Sequence, residues 1–346
     1  MVLQMADAFA GAPVYTTLYR PESTFPEFAA LDVRPSRLNR WAPLRREHRA
    51  ALPFLARDVD RIEIDADVVL ASSSGWAHGM RTPGRKIVYC HAPARWLYQT
   101  ERYASGSQPQ ARPSLRATAT RTAVGVLGRR LREWDRAAAL SADRYLVNST
   151  AVQRAVRQAY GIEADVVPPP PALLPSGPEE QPDGIDPGYF LVVARLLPYK
   201  NVDIVIEAAK AVDRRVVIVG AGPDRARLAR LADHRITFAG TVTDPQLRWI
   251  YRNATALVAA AYEDYGLAPL EAAAFGRPAV ALRDGGFLDT VVDGITGTFF
   301  DTTSVSELAA AMERTDRQSW DASRLVEHAD SFGAARFAAR LREAVA

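Results

Sequence analysis

Short unbroken apolar runs alternate with longer stretches in which apolar residues recur every three or four positions, along almost the whole chain. Runs of this kind, apolar throughout rather than at every second residue, predict strands of a parallel sheet covered on both faces. In the first half they fall at residues 12–19, 68–72, 86–91, 144–148 and 164–167, and a long arginine-rich helix is predicted over 113–140. Residues 168–188 then hold eight prolines and three glycines, a composition that sustains neither helix nor ladder. The alternation restarts at 189–195 (YFLVVAR) and continues with strands at 215–219, 236–239, 256–260 and 279–282. The pattern predicts an α/β protein of two doubly wound, Rossmann-like domains facing a central cleft. The expected divisions are an acceptor-side domain over 1–170, a linker over 171–188 and a second domain over 189–346, its last helix packing back on the first domain.

The first half opens unusually. Residues 1–9 (MVLQMADAF) already read as an amphipathic helix, whereas a Rossmann-like domain opens with a strand and a glycine-rich turn. The expectation is that this first strand is missing, that its absence leaves unpaired sheet edges, and that the natural start lies upstream of Met1.

At 346 residues, 48% hydrophobic and 24% charged, the chain has the composition of folded domains. A disordered tail, a disulfide scaffold and a collagen-like chain are excluded. Cys90 is the only cysteine, and no apolar run reaches the ~18 residues of a membrane span. A cytoplasmic protein is expected. The net charge of +3 conceals an asymmetry: residues 1–170 carry +8 and the remainder −5. Arg34, Arg37, Arg40, Arg45, Arg46 and Arg49 make one basic cluster, and Arg112, Arg116, Arg121, Arg129, Arg130, Arg132 and Arg136 another. Such a surface suits an anionic membrane face or a phosphorylated partner, or is simply solvated.

The segment 261–278 (AYEDYGLAPLEAAAFGRP) is the most informative. Glu263 follows a strand, Gly266 permits an unusual turn, and Pro269 suits the first turn of a helix that carries Glu271. Amides of Gly266, Leu267 and Leu270 would then face an anion at the positive end of the helix. In 194–201 (ARLLPYKN), Arg195 can chelate phosphate oxygens and Lys200 adds a point charge. Only three of the 43 basic residues are lysines, so a lysine here stands out. His91, in YCHAPAR at the end of a first-half strand, is expected to face the cleft, with Arg95 and Trp96 shaping its surroundings or merely packing. Gly285 and Gly286 form a tight turn after Asp284 that would add backbone donors.

Other signals are weaker. Asp65 and Asp67 precede their strand and so lie at the wrong sheet edge for a metal site. The histidines and the cysteine lack zinc spacing. Gly220 and Gly222 follow a strand as a dinucleotide fingerprint would, but Pro223 intrudes and Arg225 replaces the third glycine. Asn148 and Asn253 each begin a glycosylation triplet, with little meaning in a cytoplasmic chain.

Taken together, Arg195 and Lys200, the pair Glu263 and Glu271 in an E-x7-E spacing, and Gly285 and Gly286 resemble the retaining glycosyltransferases of family 4, which have the GT-B fold. The resemblance implies that Arg195 and Lys200 hold a nucleotide diphosphate, Glu263 contacts the donor sugar, Glu271 contacts ribose hydroxyls and His91 bonds the sugar near the reacting carbon. It implies a metal-independent transfer with no bound cofactor. The YCHAPAR segment and the preceding LASSSGWAHG look like the bacterial mannosyltransferase-type branch. That likeness implies mannose from GDP-mannose, a lipid-linked glycan acceptor, cell-surface polysaccharide synthesis at the inner membrane face, and no nucleic-acid partner. Asp289 stands where that family carries a glutamate. A nicotinamide-dependent oxidoreductase and a non-catalytic nucleotide-sugar-binding protein remain as alternatives.

Overall fold

The computed structural model describes the backbone of residues 1–46, 48–99 and 115–346, and their side chains except at 48–50, 52, 53 and 115–127. Of the arginines in the two basic clusters, Arg112 and the side chains of Arg49, Arg116 and Arg121 lie outside the described residues, as do the first two positions of the helix predicted over 113–140. The described part of that helix is Leu115–Leu140. The chain forms two compact units. The first comprises Met1–Asn148, Val152–Pro168 and Ala334–Ala346, and the second Ser149–Ala151 and Pro169–Gly333.

In the first unit, β1 (Val14–Thr16) and β2 (Val33–Pro35) pair in parallel as a separate small sheet. The strand expected over 12–19 is therefore only three residues long, and β2 was not expected. The main sheet runs β3 (Val68–Ser73), β4 (Arg85–Cys90), β5 (Arg144–Val147) and β6 (Asp165–Val166), in that order and all parallel. Because successive side chains point to opposite faces, Ile87 and Tyr89 of β4 join one core with Met5, Ala8, Phe337 and Leu341. Val88 and Cys90 join the other, with Val152, Val156 and Tyr160. The first face is thus covered by the helix Val2–Ala8 and the carboxy-terminal helix Ala334–Val345, where Arg342 Nε donates to the Ala8 carbonyl at 3.1 Å.

The second unit has a six-stranded parallel sheet. Its strands are β7 (Tyr189–Val193), β8 (Val216–Val219), β9 (Ile236–Gly240), β10 (Ala254–Ala259), β11 (Ala279–Leu282) and β12 (Gly297–Phe300). The spatial order is β12-β11-β10-β7-β8-β9. The chain starts at β7, builds outward through β8 and β9, and returns to lay β10 on the other side of β7. The winding reverses between β7 and β10, and a crevice outside the carboxyl ends of the strands opens at such a reversal. Apolar residues of β7 and β8, with Ile206, Ala256, Leu257 and Val280, fill the core beneath it. Among the described residues no helix is long and apolar enough to cross a membrane.

Candidate functional site

The crevice between β7 and β10 is lined by the segments that follow those strands and β11. After β7 the chain turns through Ala194–Leu197, held by Ala194 N–H to the Val219 carbonyl (3.1 Å) and Leu196 N–H to the Ala221 carbonyl (3.0 Å). Gly220 and Gly222 explain how the two segments come so close. A Cβ on Gly220 would lie 2.0 Å from the Ala194 carbonyl oxygen, and one on Gly222 2.2 Å from that of Leu196. These glycines therefore seat the loop that carries Arg195, rather than receiving a dinucleotide. Sequence spacing hid this role, because the residues meet only across β7 and β8. The Arg195 side chain is exposed and makes no hydrogen bond among the described residues.

Lys200 closes the 3-10 turn Pro198–Lys200, and Asn201 follows in the left-handed region at φ 55°. Asn201, not singled out from sequence, donates from Nδ2 to the Ala260 carbonyl at 2.9 Å and so ties this turn to the end of β10. There Lys200 Nζ forms an ion pair with Glu263 Oε1. The lysine side chain is 13% exposed and the glutamate 37%. The structure thus brings together across the winding reversal two residues 63 positions apart.

The loop carrying Glu263 is braced by the turn after β11. Gly286 N–H donates to the Glu263 carbonyl at 2.8 Å, and Gly285, at φ 65°, would place a Cβ 2.3 Å from that same oxygen. Gly285 N–H donates to the Asp284 carboxylate at 2.7 Å. Both amides, expected to serve a ligand, are bonded within the protein in this structure, and the pair holds the Glu263 loop. Gly266 adopts φ 98° and caps the helix Leu267–Ala274. The amides of Gly266, Leu267 and Ala268 make no hydrogen bond among the described residues, and Pro269 has none to offer. An anion facing them would gain both open donors and the helix dipole. Leu270 sits at the fourth helical position, where the first turn closes, so its amide is the least available of the expected donors.

Glu271 is only 9% exposed. Its Oε2 accepts from Tyr251 Oη at 2.8 Å and its Oε1 from the Leu173 N–H at 3.4 Å. Burial raises its pKa above the ordinary carboxylate value, against the lowering effect of those hydrogen bonds. Tyr251 is itself fixed by stacking on Phe275, with ring centroids 5.3 Å apart. Asp289 accepts from both the amide and the hydroxyl of Thr150 at 2.8 Å, a structural partnership invisible in sequence spacing.

His91 belongs to the first unit. Its Nε2 lies 2.8 Å from Ser72 Oγ, and its carbonyl accepts from Asn148 Nδ2 at 3.2 Å. Burial, with neighbouring positive charge adding, lowers the imidazole pKa to about 4, so the ring is neutral at pH 7. Among the described residues no cluster of three or more His, Cys, Asp or Glu side chains is arranged to hold a metal ion.

Residues 179–331 match the family model for group 1 glycosyl transferases, a span lying within the second unit. Over 194 residues the chain is 32% identical to the D-inositol 3-phosphate glycosyltransferase of Mycobacterium tuberculosis, covering 50% of this chain and 40% of that protein. The chain therefore spans less than half the length of the curated relatives it matches. Among solved structures, sucrose-phosphate synthase from Thermosynechococcus elongatus superposes with a TM-score of 0.67 at 17% identity, over 99% of this chain and 91% of that one. HepE of Anabaena, solved with UDP and glucose, gives 0.63 at 18% identity, over 99% and 94%. At these identities the likeness is one of fold: an α/β chain of the GT-B type with two Rossmann-like domains.

Proposed function

We propose that the chain is a retaining hexosyltransferase that uses a nucleotide sugar as donor and needs neither a metal nor a bound cofactor. The observation that carries this reading is the meeting of Lys200 with Glu263 at the winding reversal, beside the open amides of Gly266, Leu267 and Ala268. A nucleoside diphosphate placed there draws Lys200 from Glu263. The ammonium, Arg195 and the helix-end amides then stabilise the charge that grows on the departing diphosphate. Glu263, released, accepts hydrogen bonds from the donor sugar. Glu271, whose oxygens can each accept a second hydrogen bond, takes the ribose hydroxyls. The acceptor hydroxyl attacks the anomeric carbon from the face the diphosphate leaves, and its proton passes to the leaving phosphate oxygen.

The favoured donor is GDP-mannose and the favoured acceptor a hydroxyl of a lipid-linked glycan at the inner membrane face, in the synthesis of a cell-surface polysaccharide. Transfer by the relatives named above supports the reaction class, and YCHAPAR supports the branch. Gly220 and Gly222 count against a nicotinamide enzyme, because a neighbouring backbone segment occupies the space that a dinucleotide would need. A thermal-shift panel of GDP- and UDP-sugars tests the proposal, since a ligand bound at 100 times its Kd adds about 2.7 kcal/mol to the folded state. At least one nucleotide sugar raises the melting temperature by several degrees and is turned over with release of its nucleotide; a panel with no response contradicts the reading.

A further inference from the structure

We propose that Tyr251 is a positioning residue for the nucleotide: its buried hydroxyl fixes the Glu271 carboxylate in the orientation that receives the ribose. The inference rests on the reading of Glu271 as the ribose ligand and extends it to a residue too buried to meet the substrate. Tyr251 lies near the end of the helix Asp244–Asn253, whose start is locked by a capping box between Thr243 and Gln246. Its side chain is fully buried, and its ring stacks on Phe275 with 12° between the two planes. Phe275 directly follows the helix Leu267–Ala274 that carries Glu271. The ring is thus fixed, and its hydroxyl donates to Glu271 Oε2 at 2.8 Å. The other carboxylate oxygen accepts from the Leu173 N–H at 3.4 Å. A carboxylate held at both oxygens by groups from two separate segments keeps one plane, and each oxygen retains a lone-pair site. Two acceptor sites in one fixed plane suit a pair of neighbouring hydroxyls, because paired donors and acceptors add geometric specificity to the energy of each bond.

The same contact governs the charge of Glu271. Burial raises the pKa of this carboxyl, while the Tyr251 hydroxyl and the amides of Leu173 and Ala172 lower it. Burial and the Glu271 charge raise that of the phenol, so Tyr251 stays a donor at neutral pH. Among the described residues no other side chain shifts the Glu271 carboxyl. β10 and β11, which pack on its helix, carry no titratable residue. The helix Ala322–Asp330, with Arg324, Glu327, His328 and Asp330, meets it through Leu325 and Ala329 against Ala273 and Ala274. Asp289 accepts from Thr150, Arg248 donates to the Leu174 carbonyl, and Arg252 pairs with Glu179. Without the Tyr251 hydroxyl, the Glu271 carboxyl takes up a proton more readily and loses an acceptor site that ribose needs. A tyrosine that only satisfied a buried carboxylate would affect stability and leave ribose recognition alone.

The test is calorimetric titration of GDP, UDP and their 2′,3′-dideoxy analogues into the wild type, Tyr251→Phe, Glu271→Gln and Tyr189→Phe, at neutral pH and over the acid range. Tyr251→Phe keeps the ring and its stacking. Tyr189→Phe removes a comparable buried hydroxyl, which donates to the Ile250 carbonyl at 2.9 Å and does not touch Glu271. The wild type prefers the ribose form of the diphosphate it binds by about tenfold or more, the scale of a hydrogen bond to a charged group. Tyr251→Phe and Glu271→Gln each lose most of that preference and bind the dideoxy analogue as the wild type does, which also shows that they fold. Tyr189→Phe keeps the preference. Protonation of Glu271 competes with the ribose hydroxyls, so the preference falls as pH falls through its pKa; losing the Tyr251 hydroxyl raises that pKa, and the acid limb of Tyr251→Phe lies at higher pH than that of the wild type. The terminal phosphate titrates alike in both forms of the ligand, so their difference isolates Glu271. The inference is overturned if Tyr251→Phe keeps the preference, weakens both forms equally, or shows the acid limb of the wild type. Retention of the preference by Glu271→Gln, or no binding of either diphosphate to the wild type, overturns the ribose reading itself, so the two failures are distinct.

Discussion

Removing the Lys200 ammonium separates a catalytic role from a structural one, and the geometry supplies the scale of each. Lys200 is mostly buried, but its partner Glu263 is 37% exposed, so the carboxylate left behind is rehydrated. An ion pair of that exposure contributes about 1 kcal/mol or less to stability. Lys200→Met keeps most of the aliphatic stem and gives up the ammonium contact with the Tyr199 ring, where Nζ sits 5.1 Å from the ring centroid, a contact worth about 0.5–1 kcal/mol at an exposed site. The stability cost is then no more than the sum of the two. A preorganised group facing charge that develops on a leaving diphosphate is worth about 3–4 kcal/mol, or 10²–10³ in turnover. Nucleotide release from the donor identified by the thermal-shift panel, measured with and without acceptor, reads the first quantity, and urea unfolding the second. The double variant K200M/E263Q adds a control. If Lys200 served only to hold Glu263 in place, the double variant would be no slower than E263Q alone; a direct role makes it slower still. Turnover of Lys200→Met within about fivefold of wild type, or a loss of rate matched by an equal loss of stability, refutes the reasoning.

Further outcomes follow from other parts of the structure. Gly285→Ala forces a Cβ to 2.3 Å from the Glu263 carbonyl oxygen at φ 65°, and costs about 2–4 kcal/mol with at least a hundredfold loss of turnover. Gly294→Ala, also left-handed at φ 73° but in open space, costs only about 1 kcal/mol and leaves turnover intact; equal effects in the two variants would contradict the bracing role of the Gly285 turn. His91 binds a proton near pH 4 when folded and near 6.5 when unfolded. The unfolded chain therefore binds more protons in that window, and up to about 3 kcal/mol of stability is lost as pH falls from 6.5 to 4. His91→Asn flattens that part of the urea-derived stability profile, and an unchanged slope would show that the imidazole is not held neutral.

Much of the architecture was legible because its cause is local. Strands such as β7 and β8 are continuous apolar runs, since residues on both faces must be buried, and the proline-rich stretch after residue 167 announces a break in regular structure. The short elements were not legible. β2 is three residues of which two are exposed, and β12 reads GTFF between Thr296 and Asp301, so neither carries a periodic signal. At the site, the residues that bear charge were visible as side-chain types at helix and strand ends. What positions them was not. The work of Gly220, Gly222 and Asn201 lies in close backbone approaches between segments distant in sequence, and the committed amides of Gly285 and Gly286 became apparent only once Asp284 and Glu263 had coordinates.

The claim on which the account rests is that a pyrophosphate is held at the winding reversal of the second unit. Calorimetric titration of GDP and UDP into the wild type and the double variant R195Q/K200M tests it most directly, with the matching nucleosides as reference ligands. The account predicts that one diphosphate binds the wild type and binds the double variant about a hundredfold or more weakly, while nucleoside affinity stays the same. Equal affinity of the diphosphate for both proteins would contradict it.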